Sequence, residues 1–195
     1  SLLWLEEQVR QRLPESRAPL FSPVELPLYA GLEFIEFAAA PAQAGELGQT
    51  LAQLGFAEEG SHRSKRVSLW RNGGARVVVN AQPHSWADHF HQRHGVSLCA
   101  MALRVSQSAA IVERARAYGY ATWQGDAGPN ESPIPAVCAP DGSLIYLIEV
   151  GDDIYTRDFH LRANLTPRDD YQGIDHLALG MEAVSYTHLT LPTTP

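Results

Sequence analysis

The chain has 195 residues, 45% hydrophobic and 19% charged, enough apolar material for one large core or two small ones. A formal net charge of −7 and a pI near 5.6 count against nucleic acid or an anionic membrane as the main partner. No apolar run approaches the roughly 18 residues of a membrane span, and Glu6 and Glu7 stand where a signal peptide would be basic. A cytoplasmic protein with neither nucleic acid nor membrane as partner is therefore expected.

Residues 1–13 place Leu2, Leu5, Val9 and Leu13 at helical spacing, and Pro14 ends the pattern. With no Met ahead of it, this helix reads as the last one of an upstream domain. Pro14, Pro19, Pro23 and Pro27 then mark a linker, so 1–27 forms one unit. A strand is expected over 31–39 and a helix from Pro41, where proline is tolerated, with Leu47, Leu51 and Leu54 buried and Gly55 as its stop. Strands follow over 56–59, 67–71 and 75–81, the last two joined by the hairpin signal Asn72-Gly73-Gly74. Residues 84–94 read as a helix with Trp86 and Phe90 apolar. Then the order recurs: a strand over 96–105, a helix capped by Ser108 and stopped by Gly119, and strands over 120–123, 134–139 and 144–150, with a turn at Asp141-Gly142. Residues 28–150 thus hold two βαβββ units of an α+β fold.

A polar connector is expected over 151–172. The stretch Gly173-Ile174-Asp175-His176-Leu177-Ala178-Leu179-Gly180 then repeats the frame of Gly31-Leu32-Glu33-Phe34-Ile35. Fixed-offset similarity of this kind marks a repeated module, so 173–183 reads as the first strand of a truncated second one. Residues 184–195, with three Thr and two Pro in the last six, resemble translated library-adapter sequence. They are expected to be non-native, with a genuine flexible tail as the alternative.

Paired βαβββ units resemble the vicinal oxygen chelate (glyoxalase/dioxygenase-like) fold. Residues 95–108 (GVSLCAMALRVSQS), 143–149 (SLIYLIE) and 173–180 (GIDHLALG) are similar to the 4-hydroxyphenylpyruvate dioxygenase branch of it. With the N-terminal helix and linker, the whole resembles the join of a bacterial 3-dehydroshikimate dehydratase, in which a TIM-barrel lyase domain is fused to a dioxygenase-like half. The resemblance implies a metal site in the second module, built from a His on its first strand, a second His and a Glu, with open positions for a bidentate oxygen ligand. His176 matches the first ligand. The metal of the parent is divalent, with Fe(II), Mg, Mn and Co all open. In the first module the corresponding positions are Phe34, Leu98 and Tyr146, which lack a ligand set, so that module is expected to be a metal-free scaffold. Glu149 lies three residues past Tyr146 and is expected on the opposite face.

Other chemistry-bearing residues admit plainer readings. His84, Asp88, His91 and His94 share a helix face and could hold a metal or form a solvated surface. His62, Arg63, Lys65 and Arg66 could bind an anion or form a solvated loop. Cys99 and Cys138 sit in apolar surroundings and read as free thiols, a disulfide needing an oxidising compartment. No catalytic residue is assigned within the chain. The resemblance implies dehydration of 3-dehydroshikimate to protocatechuate by the parent protein, with this segment inactive alone. The alternatives are a 4-hydroxyphenylpyruvate dioxygenase or related Fe(II) 2-oxo-acid dioxygenase, and a non-catalytic binding or oligomerisation module, since such modules pair through their sheets into homo-oligomers.

Overall fold

A computed structural model describes residues 27–125, 131, 133–165 and 168–180. The expected upstream helix and most of the linker, the end of the 173–183 stretch and the 184–195 tail lie outside the described residues. The first unit runs β1 (Tyr29–Ala38), α1 (Pro41–Gln53), β2 (Ala57–His62), β3 (Val67–Asn72) and β4 (Ala75–Asn80). Helix α2 (Trp86–His94) leads to the second unit: β5 (Ser97–Val105), α3 (Ser108–Ala117), β6 (Thr122–Gln124), β7 (Pro135–Cys138) and β8 (Leu144–Glu149). Both units have the expected βαβββ order.

The described strands share one nine-stranded sheet, in the order β6-β7-β8-β5-β1-β4-β3-β2-β9, where β9 is Phe159–Leu161. Each unit closes on itself by a parallel pair, β1 with β4 and β5 with β8, and the units join through the antiparallel ladder of β1 and β5. That ladder is irregular, shifting register three times, once between Glu36 and Phe37. Alternation along the strands divides the core into layers. Ile35, Phe37, Val77 and Val79 pack under Leu47 and Leu51 of α1. Leu103, Val105 and Leu147 pack under Ile111 and Val112 of α3. On the other face Phe34, Leu69, Val78, Ala102 and Ile148 form the interior of a cup.

Two elements emerge inside the expected connector of 151–172: a short helix α4 (Ile154–Asp158) and an edge strand β9 (Phe159–Leu161) paired with β2. Ile154, Tyr155 and Phe159 enter the cup's core, so this polar-looking segment closes the inner face of the sheet. Gly60 permits the pairing, because a Cβ there would meet the His160 carbonyl at 2.8 Å. Farther on, Gly73 N–H donates to the Arg168 carbonyl and Gly74 N–H to the Tyr171 carbonyl, each at 2.7 Å. Fully buried Asn72 bonds Asp170 twice, donating from Nδ2 at 3.0 Å and accepting the backbone N–H at 2.9 Å. Residues 173–180, expected as a strand, join no ladder and are mostly exposed. A strand needs a partner to satisfy its backbone groups, and the edge beside β2 is already taken by β9.

Candidate functional site

Both units converge on the cup. Its cavity measures about 140 Å³ and draws walls from β1, β4, β8 and α4. A wider hollow of about 450 Å³ meets it at Glu36, Lys65, Asn80, Trp123 and Tyr146. The register explains the inner row. Phe34 stands opposite Ala102 across the β1–β5 ladder, and Ala102 opposite Tyr146 across β5–β8. The Phe34 and Tyr146 rings lie 6.2 Å apart, Tyr146 and Trp123 6.1 Å, and Trp123 and Trp86 6.0 Å, making a run of aromatic rings.

Glu36 is a buried acid on this face, 6% exposed. Asn80 Nδ2 donates to its Oε1 at 2.7 Å, and Asn80 Oδ1 in turn accepts the Gln82 N–H at 3.0 Å. Burial pushes the Glu36 carboxyl above its ordinary pKa, and the Asn80 bond offsets only part of that rise. Burial likewise raises the Tyr146 phenol, helped by the charges of Glu36 and Cys99. Both shifts favour the protonated forms of the carboxyl and the phenol at the floor of the cup. Near them Lys65 Nζ reaches Glu131 Oε2 at 2.7 Å, and His62 Nε2 lies 3.7 Å from Glu131 Oε1. Burial lowers the His62 pKa more than Glu131 raises it. Below Tyr155 an ion network crosses the base of the cup, with Arg104 Nε 2.5 Å from Glu33, Arg76 3.6 Å from the same carboxylate, and the Arg76 guanidinium 4.4 Å from the Tyr155 ring centroid.

Of the positions compared with the second module's ligands, Phe34 and Tyr146 fall on the inner row and Leu98 does not. Leu98 stands opposite Phe37, which packs under α1, and Ala102 takes the place beside Phe34 and Tyr146. The register shift between Glu36 and Phe37 separates the sequence match from the spatial one. Glu149 does face away from the cup. Its carboxylate accepts the backbone N–H groups of Gln107 at 3.1 Å and Ser108 at 2.6 Å. The N-cap of α3 is thus Gln107, in the left-handed conformation at φ +58°, rather than Ser108, and the cap is supplied from another strand. The Ser108 hydroxyl, together with these backbone bonds, holds the Glu149 pKa below the usual range.

The helical histidine set is dispersed among other partners. Asp88 accepts the His84 N–H at 2.8 Å, His91 Nε2 meets Gln43 at 2.7 Å, and the His94 ring lies 4.4 Å from Phe90. The basic cluster is likewise engaged: Arg63 donates to the carbonyls of Arg157 at 2.9 Å and Thr156 at 3.2 Å, holding the end of α4. Cys99 and Cys138 are free, and burial pushes the Cys99 thiol far above its usual pKa, leaving it inert. His176 is exposed, its Nδ1 2.9 Å from Asp175. Among the described residues no three His, Cys, Asp or Glu side chains gather as a metal site. A lone imidazole beside one carboxylate does not fit a metal that needs three protein donors. Glu36 and Asn80 were missed in the sequence because an isolated acid in an apolar strand carries no motif; the acid at an inward position was the available signal.

The profile described as "Hydroxyphenylpyruvate dioxygenase, HPPD, N-terminal" matches residues 25–160. The chain belongs to this family. The family's span takes in every strand of the sheet except the last residue of β9, so α4 and its contact with the cup belong to the module. Among curated relatives, a 3-dehydroshikimate dehydratase of Pseudomonas putida is 47% identical over 95% of this chain and 30% of its own length. A 4-hydroxyphenylpyruvate dioxygenase of a Pseudomonas species is 34% identical over 82% of this chain and 43% of its own length. A solved xylose isomerase-like TIM barrel/4-hydroxyphenylpyruvate dioxygenase fusion protein superposes with TM-score 0.69 at 47% identity, covering 85% of this chain and 27% of that one. The architecture is the vicinal oxygen chelate fold, and the chain spans less than half the length of each of these proteins.

Proposed function

We propose that the chain is the first dioxygenase-like module of a fused 3-dehydroshikimate dehydratase, together with the start of the second. The observation that carries this reading is coverage: the similarity to the dehydratase extends over 95% of the chain, beyond the 82% shared with the dioxygenase. Dehydration of 3-dehydroshikimate to protocatechuate removes one water and needs a divalent metal to polarise the substrate and an acid/base pair to move the proton. Those groups are assigned to the barrel of the parent, and residues 28–150 to a metal-free scaffold. Phe34, Ala102 and Tyr146 on the inner row support the scaffold role, since none is a good metal donor.

In the same reading His176 is the first ligand of the second module's metal, joined by donors from the rest of that module. Its exposure and its Asp175 neighbour suit an imidazole that Asp175 could orient once the ring is ligated. The family profile favours a second reading, a 4-hydroxyphenylpyruvate dioxygenase. The test supplies 3-dehydroshikimate and 4-hydroxyphenylpyruvate separately to the full-length protein and to this chain. Aromatic product from 3-dehydroshikimate with the full-length protein alone supports the proposal. Oxygen uptake with 4-hydroxyphenylpyruvate, and no dehydration, replaces it with the second reading. Turnover of either compound by this chain alone overturns the scaffold role.

A further inference from the structure

We infer that the cup of the first module is itself a binding site for a small, uncharged, single-ring hydroxyaromatic ligand, with its hydroxyl on the Glu36–Asn80 pair and its ring against Phe34, Tyr146 and Trp123. The inference does not depend on the proposed function, because it needs neither a metal nor the remainder of the parent protein.

Three observations specify the ligand. Size comes first: the cavity of about 140 Å³ is close to the roughly 150 Å³ of an engineered apolar cavity that takes one benzene. One six-membered ring fits, and the adjoining hollow of about 450 Å³ offers a route to it past Lys65 and Trp123. Second is the wall. Phe34, Tyr146 and Trp123 contribute ring surfaces at centroid separations of 6.2 and 6.1 Å. Aromatic pairs at such separations are tilted or edge-on and leave faces for a further ring. Third is the floor. Glu36 is buried on the cup's inner face and is held by Asn80 through Oε1. A buried carboxyl has room for more than one hydrogen bond, and burying it in an otherwise apolar row costs stability that a purely structural position would avoid.

Charge narrows the class. Lys65 and Glu131 form an ion pair at 2.7 Å beside the cavity, so those two charges cancel. A ligand carboxylate placed on the floor would face Glu36 and would have to displace Glu131 to reach Lys65. A neutral hydroxyl can donate to Glu36 or accept from it, so it matches the floor in either protonation state.

The experiment titrates this chain with phenol, toluene and benzoate, following the indole N–H resonances by NMR. Trp123 and Trp86 report on the cup and its adjoining hollow, whereas Trp70 packs under α1 on the opposite face, its Nε1 donating to Ser68 at 2.9 Å, and serves as the internal control. Phenol should shift Trp123 and Trp86 saturably and leave Trp70 in place. Toluene, which lacks the hydroxyl, should bind about tenfold more weakly, and benzoate more weakly than phenol. Val78→Phe, which fills the cavity from β4, should abolish the phenol shifts. Equal affinity for phenol and toluene, tighter binding of benzoate, no saturation, or shifts shared by Trp70 would each overturn the inference. The ligand comparison in the unaltered chain decides the matter even if Val78→Phe fails to fold.

Discussion

Glu36 shows how one residue can set a property of the whole domain. Burial raises its pKa above the ordinary 4.5, and the neighbouring Asn80, Cys99 and Lys65 lower it only in part. An acid of this kind holds its proton more tightly folded than unfolded. Its contribution to stability is complete below 4.5 and is lost as pH rises through the folded value. Glu36→Gln keeps the shape and the Asn80 contact but cannot ionise. Urea unfolding should show the variant gaining on the wild type as pH is raised from 4.5 toward about 8. A constant difference over that range would mean that Glu36 is ionised in the fold. Glu149 titrates in the opposite sense. The Ser108 hydroxyl and the two backbone bonds at the start of α3 lower its pKa, so its stabilisation is present at neutral pH and is lost as pH falls below the ordinary 4.5. Glu149→Ala should cost about 1 kcal/mol at neutral pH, the usual worth of a helix cap, and the cost should shrink in acid.

At the scale of elements, most of the fold was legible because each strand–helix pair carries its period on its face. Ile35 and Phe37 of β1 and Leu47 and Leu51 of α1 meet as the alternation and the 3.6-residue repeat require. What escaped was short or non-local. Helix α4 has five residues, too few to show a period, and its burial comes from Ile154 and Tyr155 entering a cup that local sequence does not describe. The shift beside Glu36 moved Ala102, not Leu98, into the inner row, and a bulge leaves no mark in a motif comparison. The site was less legible still, since a buried acid and a tertiary cavity have no spacing of their own. The docking of 168–172 was hidden in the same way, although its receptor, Gly73-Gly74, was read as a hairpin. A Cβ on Gly74 would collide with the Gln172 carbonyl, and one on Gly73 with that of Tyr171, where φ is also +57°. Gly74→Ala should therefore release this segment while the sheet persists. Tryptic cleavage after Arg168 should speed up by at least about fivefold with the circular dichroism unchanged. Unaltered proteolysis would show that the segment is held by other contacts.

For the whole molecule the question is what metal does for this chain. A metal stabilises a fold by binding the native state more tightly than the unfolded one, which requires donors already gathered. The described residues gather none in a group of three, and His176 stands apart, 84% exposed in its side chain, with only Asp175 at hand. The stability of the domain instead follows from the β1–β5 ladder joining two units and from the side chains of α4 packing onto the inner face of the sheet. Prolonged dialysis against a strong chelator should therefore leave the thermal midpoint of this chain within about 1 °C of its starting value. In the full-length protein the proposal for His176 predicts the opposite behaviour: His176→Ala should lower the bound metal by about one equivalent per chain while the barrel's own metal stays. Those two results together would assign the imidazole to a site completed elsewhere in the protein. A midpoint lowered by several degrees in the isolated chain would instead place a metal within these residues, and the reading of His176 as one donor among absent others would have to be abandoned.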